Sequence, residues 1–122
     1  MPRLLERMGV ECVCVNCEPT GEFAHNPEPL PSNLVELCEA VVANGADFGI
    51  SVDPDVDRLA LICENGQPFG EEYTLVSVAD YLLSRAYNEA LETGKSLDEV
   101  TAPYKMATSS NLSSSRALRD VT

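Results

Sequence analysis

A short acidic break between two apolar segments most constrains the fold of this chain. The segment reads GISVDPDVDRLALICENG, residues 49–66, and its aspartates Asp53, Asp55 and Asp57 alternate along the chain. The apolar runs on both sides are short and bounded by turn residues, which predicts two buried strands. Three carboxylates this close together repel one another unless something neutralises them. The pattern therefore indicates a strand–acidic loop–strand unit that binds a cation, with a solvated acidic loop as the simpler alternative.

The donor atoms of this loop indicate which cation it would bind. Carboxylate oxygens suit Mg²⁺, Ca²⁺ or Mn²⁺ better than zinc. The aspartates also match positions 1, 3 and 5 of an EF-hand, with Glu64 at position 12. However, Arg58 stands where the EF-hand needs glycine, and the flanking segments are strand-like, whereas an EF-hand has helices there. An EF-hand is therefore disfavoured.

Hydrophobic periodicity in the rest of the chain predicts helices and strands in alternation. Apolar residues recur at helical spacing in some segments, and β-rich runs bounded by glycine, proline or asparagine lie between them. This order is typical of an α/β layered fold. In chain order, the predicted elements are helix 3–8, strand 10–16, a helix from Asn33 to a stop at Gly45, strands 47–52 and 59–63, helix 71–92, strand 105–109 and helix 113–120.

Local motifs predict where several of these elements begin or end. Asn33 and Glu36 have the spacing of a capping box at the start of a helix, as do Ser96 and Glu99 further along. The turn ENGQ, residues 64–67, contains the Asn-Gly pair that favours a hairpin. The proline-rich segment between strand 10–16 and the next helix predicts a long loop, because proline cannot continue regular structure.

The charge of the chain excludes two classes of partner. Twenty acidic residues stand against 8 basic ones, so the formal net charge is −12. Nucleic acids and anionic membranes need basic surfaces to neutralise their phosphates, so neither is an expected partner. The sequence also contains no apolar run long enough to span a membrane.

The cysteines indicate a reducing compartment and no zinc site. Their number is odd, and the N-terminus has no secretory signal pattern, so we expect reduced thiols and a cytoplasmic location. The cluster CVCVNC lacks the second Cys pair or His pair that a tetrahedral zinc site requires. The five cysteines are Cys12, Cys14, Cys17, Cys38 and Cys63.

The acidic loop and its surroundings resemble one enzyme family. DPDVDR, residues 53–58, is similar to the metal-binding loop of the alpha-D-phosphohexomutases, the phosphoglucomutase/phosphomannomutase family, which has glycine or alanine where Val56 stands. Residues 46–75 resemble the second domain of that family and its exit, and the proline-rich segment 18–37 resembles the loop and helix before the metal strand. NLSSSRAL, residues 111–118, resembles the start of the third domain.

The resemblance implies a function and a set of site residues. Members of this family move a phosphoryl group between the 1- and 6-positions of a hexose phosphate, using a phosphoserine and Mg²⁺. By resemblance, Asp53, Asp55 and Asp57 are the Mg²⁺ ligands, and Arg58 is a catalytic residue that stabilises the transferring phosphate. Phosphoryl transfer depends mainly on positioning and charge neutralisation, which suits these residue types. The implied partners are a hexose phosphate and the remaining domains of a mutase.

The resemblance also implies a fold and domain boundaries. It covers residues 3–86 and 105–122, and residues 85–104 look like an insertion. We expect a three-layer α/β/α fold with a mixed sheet, similar to the family's second domain and truncated at both ends. Residues 1–69 would form that domain without its first strand, and residues 70–122 would begin the third domain.

Two departures from the family pattern set further expectations. Val56 is β-branched, so it is costly if that position requires a positive φ. The phosphoserine loop, the sugar-binding motif and the C-terminal phosphate-binding loop of the family do not occur in this sequence. We therefore expect the chain alone to be inactive. The alternative function is a non-enzymatic fragment that binds divalent cations or pairs with other mutase chains through exposed sheet edges.

Overall fold

The computed structural model describes residues 1–104, 109 and 115–121, and the chain divides into two compact units, Met1–Glu71 and Glu72–Thr122. Both units contain helices, and the first also contains the sheet. The elements of the first unit are α1 (Pro2–Arg7), α2 (Val35–Asn44), β1 (Phe48–Val52) and β2 (Leu59–Cys63). The elements of the second unit are α3 (Thr74–Thr93), α4 (Leu97–Thr101) and α5 (Leu118–Val121).

The two strands of the first unit form a hairpin. They pair antiparallel, from Phe48 opposite Cys63 to Val52 opposite Leu59. Because side chains alternate along a strand, only one face of the hairpin meets α2.

The core of the first unit lies between α2 and that face of the hairpin. Ala60 and Ile62 of β2 are buried against Leu34 and Val41 of the α2 region. Gly49 of β1 also lies against Val41 and Ile62, and its lack of a side chain lets them come close. These contacts position the loop that joins β1 to β2.

Glycine follows each of the first two helices, and the predicted stop at Gly45 is confirmed. Gly9 follows α1 with φ of 82°, and Gly45 follows α2 with φ of 60°. In both cases the next amide returns to the helix: the Val10 N–H donates to the Leu5 carbonyl, and the Ala46 N–H donates to the Val41 carbonyl, each at 3.0 Å. This hydrogen-bond pattern satisfies carbonyls that a helix end would otherwise leave unpaired.

Two predictions for the first unit are wrong. Residues 10–16 form no strand, because in the described part of the chain they have no neighbouring strand with which to form a ladder. The capping box at Asn33 and Glu36 is also absent: α2 begins at Val35 without a side-chain cap. The Asn33 amide instead donates to the Glu28 carbonyl at 2.9 Å, and Glu36 accepts from the Asn16 amide at 2.8 Å.

The turn after β2 is confirmed and covers the outer edge of that strand. Gly66 has φ of 79° and donates to the Cys63 carbonyl at 2.9 Å. The chain then runs back along β2. The Cys63 N–H donates to the Gln67 carbonyl at 2.8 Å, and the Phe69 N–H donates to the Leu61 carbonyl at 2.9 Å. The edge of β2 that faces away from β1 is therefore hydrogen-bonded.

The second unit contains the long predicted helix and a short capped one. A 3₁₀ turn at Glu71–Tyr73 leads into α3, which ends before Gly94. The capping box at α4 is confirmed: the Glu99 N–H donates to Ser96 Oγ, and the Ser96 N–H donates to the Glu99 carboxylate at 2.8 Å. Among the described residues, no helix is both long and apolar enough to cross a membrane.

Two predicted elements near the end of the chain lie partly outside the described residues. Of the predicted strand 105–109, only Ser109 is described, and it belongs to no strand. Of the predicted helix 113–120, residues from Ser115 onward are described, and they are helical only from Leu118. Ser115 Oγ accepts a hydrogen bond from the Ala117 N–H at 3.1 Å, just before α5 begins.

The observed sheet is smaller than the predicted one. We expected a mixed sheet between two helical layers, but the described residues contain two antiparallel strands. One helix, α2, packs on one face of that hairpin. The α/β character of the chain is thus confirmed, while the mixed sheet is not present in the part of the chain that the structure describes.

Candidate metal centre

The candidate site is the loop at the end of the β1–β2 hairpin. The last paired residues are Val52 and Leu59, so residues 53–58 form the connection. The Val56 N–H donates to the Asp53 carbonyl at 3.1 Å, which folds the first half of the loop into a turn. Pro54 suits the second position of such a turn, because its ring presets φ near −65°. The loop is therefore compact.

This turn brings the three predicted metal ligands together. Oxygen atoms of Asp53, Asp55 and Asp57 lie within 4.8 Å of one another. Asp53 is buried at 2% exposure, whereas Asp55 and Asp57 are exposed. Among the described residues, this is the only group of three or more His, Cys, Asp or Glu side chains that converge in this way. The cysteines of the cluster CVCVNC do not form such a group.

Asp53 is the structural anchor of the loop. Its Oδ1 accepts hydrogen bonds from the Asp57 and Arg58 N–H groups, both at 3.1 Å. Its Oδ2 accepts from Arg58 Nε at 2.7 Å. A buried carboxylate needs such partners, because leaving its charge unpaired away from water is expensive. Asp53 therefore orders the backbone of the loop in addition to offering oxygen to a cation.

Arg58 connects three acidic residues. Besides its bond to Asp53, its Nε lies 3.7 Å from Asp57 Oδ1, and its Nη1 lies 3.4 Å from Glu28 Oε1. Glu28 belongs to the proline-rich loop and was not recognised from the sequence. Thirty positions separate it from Arg58, and no motif spacing links the two residues. The Arg58 side chain remains 43% exposed, so part of the guanidinium faces solvent.

The close charges shift the ionisation of the loop in opposite directions. Burial acts to raise the pKa of the Asp53 carboxyl, but the hydrogen bonds from the Arg58 side chain and backbone outweigh burial and hold that pKa well below its usual value. Contact with the Asp53 carboxylate, and then the charge of Asp55, raises the pKa of Asp57. The hydrogen bonds to Asp53 and Glu28 raise the pKa of Arg58. Asp53 and Arg58 therefore form a stable ion pair at neutral pH.

The donor set fits a hard divalent cation. Asp53, Asp55 and Asp57 offer only oxygen, and the group carries more negative charge than the single Arg58 guanidinium balances. One feature opposes binding: Arg58 Nε already occupies Asp53 Oδ2. A cation at the three carboxylates would therefore share Asp53 with Arg58 or displace it.

Comparison with known proteins identifies the family of this chain. The family model of phosphoglucomutase/phosphomannomutase, alpha/beta/alpha domain II, matches residues 1–66. The chain belongs to this family. The matched segment contains the whole β1–β2 hairpin and the acidic loop, so the resemblance seen in residues 53–58 extends to the fold around them.

Individual relatives are members of the same enzyme group. A phosphoglucomutase/phosphomannomutase of Thermococcus kodakarensis is 45% identical over 84 residues, which are 68% of this chain and 18% of the relative. Probable phosphoglucosamine mutases of Methanosarcina barkeri and Methanopyrus kandleri are 47% identical over 66 residues and 39% identical over 83 residues. These alignments cover 53% and 67% of this chain, and 15% and 18% of the two relatives. The chain thus spans less than one fifth of the length of these relatives.

Proposed function

We propose that this chain supplies the metal-binding loop of a phosphohexomutase, an isomerase that transfers a phosphoryl group between the 1- and 6-positions of a hexose phosphate. The observation that carries the proposal is the convergence of three carboxylates within 4.8 Å on a hairpin loop of a chain from this family. The remaining mutase domains would supply the phosphoserine and the sugar-binding residues, since those motifs do not occur in residues 1–122. The chain alone is expected to be inactive.

The three aspartates are the proposed ligands of Mg²⁺. Asp53 presents a buried carboxylate from a fixed position, and Asp55 and Asp57 present exposed ones beside it. When bound, Mg²⁺ would neutralise charge on phosphoryl oxygens during transfer. Asp53, through its bonds to the Asp57 and Arg58 N–H groups, holds the other ligands in place.

Arg58 is the proposed catalytic residue. A guanidinium has five N–H donors, and the bonds to Asp53 and Glu28 orient it while 43% of the side chain stays exposed. Its charge does not depend on pH in the neutral range. Arg58 would donate hydrogen bonds to a phosphoryl group that arrives from the solvent side of the loop.

The complete enzyme would have a larger fold than the described residues show. We propose that residues 1–69 belong to a three-layer α/β/α domain with a mixed sheet, and that residues 70–122 begin the next domain, with an insertion near 85–104. The division of the chain into units at Glu71 and Glu72 is compatible with this boundary. A cytoplasmic location is proposed with this function, because all five cysteines are free, as they would be in a reducing compartment.

A titration with Mn²⁺ tests the metal site directly. Mn²⁺ prefers the same oxygen ligands as Mg²⁺, and it broadens nearby NMR signals. In a ¹H–¹⁵N spectrum of the chain, we expect saturable broadening of residues 53–58. Asp55→Asn should weaken it, because the exposed Asp55 contributes a ligand and little to the fold. Glu64→Gln is the matched control: it removes one exposed acidic charge at the other end of the hairpin and should leave the broadening unchanged.

A complementation assay tests the enzymatic part of the proposal. The chain would be mixed with a phosphohexomutase from which the corresponding segment has been removed, and mutase turnover would be measured. We expect activity with the wild-type chain, and loss of it with Asp55→Asn or Arg58→Gln. Broadening that is spread over the acidic surface, or activity that is the same with both variants, would contradict the proposed roles.

A further inference from the structure

Two exposed cysteines lie on either side of one bend in the first unit. Cys14 and Cys17 are separated by Val15 and Asn16, and the chain bends at these two residues. Asn16 has φ of 51°, a left-handed conformation that asparagine tolerates better than most residues. The backbone therefore turns between the two thiols. Together they form a Cys-x-x-Cys pair, the spacing found in many reactive dithiols.

The bend brings the Cys17 thiol against the Cys14 side chain. Partial burial, and then a hydrogen bond and the charge of Cys14, raise the pKa of the Cys17 thiol. A hydrogen bond between the two thiols requires their sulfur atoms to lie close together. Cys17 Sγ also donates to the Val15 carbonyl at 3.4 Å, so its sulfur stays against the bend. Cys12, the third cysteine of this cluster, instead donates to the Val10 carbonyl at 3.8 Å.

A side-chain contact holds the bend on α2. Asn16 Nδ2 donates to Glu36 Oε2 at 2.8 Å, although twenty positions separate the two residues. The donor belongs to the residue with the left-handed backbone, between the two cysteines. The contact therefore fixes the bend relative to the helix. Two groups held close together react with each other more readily than the same groups on a flexible chain.

The pair suits a disulfide better than a metal site. A tetrahedral zinc site needs four ligands, and among the described residues the three-carboxylate loop is the only convergent group of three or more His, Cys, Asp or Glu side chains. A disulfide needs only two sulfur atoms, on Cβ atoms about 3.5–4.5 Å apart. Both Cys14 and Cys17 are exposed, so a small reagent in solution can reach them.

We propose that Cys14 and Cys17 are a redox-active dithiol, which a small disulfide such as oxidised glutathione converts to an intramolecular disulfide. The Cys14 thiolate attacks one sulfur of the small disulfide, so a mixed disulfide forms and one glutathione thiolate leaves. Cys17 then loses its proton and attacks the Cys14 sulfur. The bond between Cys14 and Cys17 forms, and the second glutathione thiolate leaves. The two protein thiols give up two electrons and two protons, and the two glutathione molecules take them up.

The order of attack follows from the surroundings of the two thiols. The raised pKa of Cys17 keeps this thiol protonated to higher pH, and only a thiolate attacks a disulfide. Cys14 is therefore the first nucleophile and Cys17 closes the bond. In a reducing compartment the dithiol is the resting form, and the disulfide forms under oxidation. The reaction does not involve the acidic loop, so it would stand if the proposed mutase function failed.

Mass spectrometry of the oxidised chain tests the proposal. The full chain is incubated with oxidised glutathione, its free thiols are blocked with iodoacetamide, and the protein is cleaved after glutamate. Cleavage at Glu11 and Glu18 releases residues 12–18, which contain Cys12, Cys14 and Cys17. We expect this fragment to carry one blocking group after oxidation, and three after reduction with dithiothreitol.

Serine variants identify the two cysteines and the order of attack. Cys17→Ser should retain glutathione on Cys14 as a mixed disulfide, because the thiol that closes the bond is missing. Cys14→Ser should take up less glutathione at neutral pH. Cys12→Ser is the matched control from the same cluster, and its remaining two thiols should both be lost on oxidation. Loss of closure in Cys12→Ser would overturn the assignment of the pair.

A second set of variants tests whether the fold holds the pair together. Glu36→Ala removes the acceptor of Asn16 and should lower the equilibrium constant for closure about threefold, the effect of one hydrogen bond. Glu39→Ala removes an exposed carboxylate from the same helix and should leave closure unchanged. Concentrated urea should also lower it, because the unfolded chain no longer holds the bend. Equal closure in both variants and in urea would overturn the role of the bend.

Three other outcomes would overturn the proposal as a whole. The first is a fragment 12–18 that still carries three blocking groups after treatment with excess oxidised glutathione. The second is a wild-type chain that keeps glutathione as a stable mixed disulfide and does not close. The third is a disulfide-linked dimer, seen on a non-reducing gel, in place of the intramolecular bond.

Discussion

Val56 combines a β-branched side chain with a left-handed backbone. Its φ is 61°, and 59% of the residue is exposed. From the sequence, we expected Val56 to be costly if its backbone required a positive φ, and the structure shows that φ is positive. Few contacts compensate for the strain, because the side chain is largely in solvent. An L-residue in this region costs about 1–2 kcal/mol, so the acidic loop stores strain between the proposed ligands Asp55 and Asp57.

Replacing Val56 with glycine should stabilise the protein. The strain relief of about 1–2 kcal/mol is partly offset by the greater freedom of glycine in the unfolded chain, about 0.5–1 kcal/mol, which leaves a gain of about 1 kcal/mol. Urea unfolding would measure it. The control is Val42→Gly, at a similarly exposed position inside α2, where glycine should lower the free energy of unfolding. A loss of stability at both positions would contradict the assigned strain.

Removing the Arg58 charge should tighten cation binding by the isolated chain. Arg58 Nε occupies Asp53 Oδ2 at 2.7 Å, and its positive charge opposes a divalent cation nearby. We expect Arg58→Gln to lower the Kd for Mn²⁺ several-fold, measured by electron paramagnetic resonance of free Mn²⁺. Arg3→Gln removes the same charge from α1 and should have little effect. If Arg58→Gln weakened Mn²⁺ binding, the arginine would support the ligands more than it competes with the cation.

The sequence was sufficient to identify the aspartates but not all of their surroundings. Asp53, Asp55 and Asp57 share one loop, so their spacing alone predicted that they would converge. The difference in their burial was not predictable. Of the three, only Asp53 is buried, because the loop turns its carboxylate toward the Asp57 and Arg58 N–H groups. Glu28 escaped notice because its contact with Arg58 joins distant parts of the chain.

The contact of β1 with α2 depends on one missing side chain. A Cβ on Gly49 would lie 2.7 Å from Val41 Cγ2, which is closer than carbon atoms pack in protein interiors, and 3.2 Å from Ile62 Cβ, which is a tight contact. Gly49 therefore allows the hairpin to approach the helix closely. The close packing of β1 on α2 therefore fixes the position of Asp53, the first residue of the acidic loop, which directly follows β1.

Gly49→Ala should destabilise the first unit by about 1–3 kcal/mol, the usual cost of overpacking. Val41→Ala removes the side chain that the new Cβ would meet, and by itself leaves a small cavity. The double variant should lose less stability than the sum of the two single variants, because the added methyl fills the vacated space. Denaturant unfolding of the wild type and the three variants would measure this coupling, and simple additivity would show that the contact between Gly49 and Val41 does not limit packing.

The capping box of α4 should make this helix sensitive to acid. Hydrogen bonds from the Ser96 N–H and Oγ lower the pKa of Glu99. Because the folded pKa is lower than the unfolded one, the stabilisation is fully present above the unfolded pKa and is lost as the pH falls through the folded pKa. NMR shifts of residues 97–101 should follow this titration. Ser96→Ala removes the Oγ donor but keeps the backbone N–H of residue 96, so it should reduce the difference between the folded and unfolded pKa of Glu99. A titration that Ser96→Ala leaves unchanged would contradict this assignment.

Sequence signals predicted elements well where the interacting residues lie close together in the sequence. The strands β1 and β2, the turn at Gly66 and the cap at Ser96 all depend on residues close in sequence, and all were confirmed. Residues 10–16 have equal strand propensity but no adjacent strand among the described residues. Strand propensity reflects packing on a sheet more than a backbone preference, so composition alone could not decide this segment.

The net charge of −12 should draw divalent cations to the chain at low ionic strength. The attraction from distant charges is screened when salt shortens the Debye length from about 10 Å at 0.1 M to about 3 Å at 1 M. We expect the Kd for Mn²⁺ to rise with NaCl in the wild-type chain, while the ratio between wild type and Arg58→Gln changes less, because Arg58 is in direct contact with Asp53. Calorimetry at several salt concentrations would measure both, and a salt-independent Kd would contradict the role of the overall field.

Family membership and the α/β/α class of the domain could be predicted from the sequence, but the size of the observed sheet could not. The motif DPDVDR and the proline-rich segment before it pointed to the family that the comparison shows over residues 1–66. The three-layer fold was inferred from resemblance to the family's second domain, and the matching family model is that of an alpha/beta/alpha domain II. A layered sheet needs every strand to find its neighbours, and the described residues pair only β1 with β2, so the mixed sheet stays a prediction.

The locality of the hairpin has a consequence for the order in which the protein acquires its parts. All three aspartates lie within residues 48–63, and hairpins form in about 1–10 μs. Ribosomes add about 5–20 residues per second, so this segment has time to fold long before the last helix is synthesised. The carboxylates can gather on the nascent chain, whereas the contact of Arg58 with Glu28 must close a much longer loop. The aspartate cluster and the bond of Arg58 to Asp53 therefore need only residues of one hairpin, whereas the contact of Arg58 with Glu28 needs a distant part of the chain.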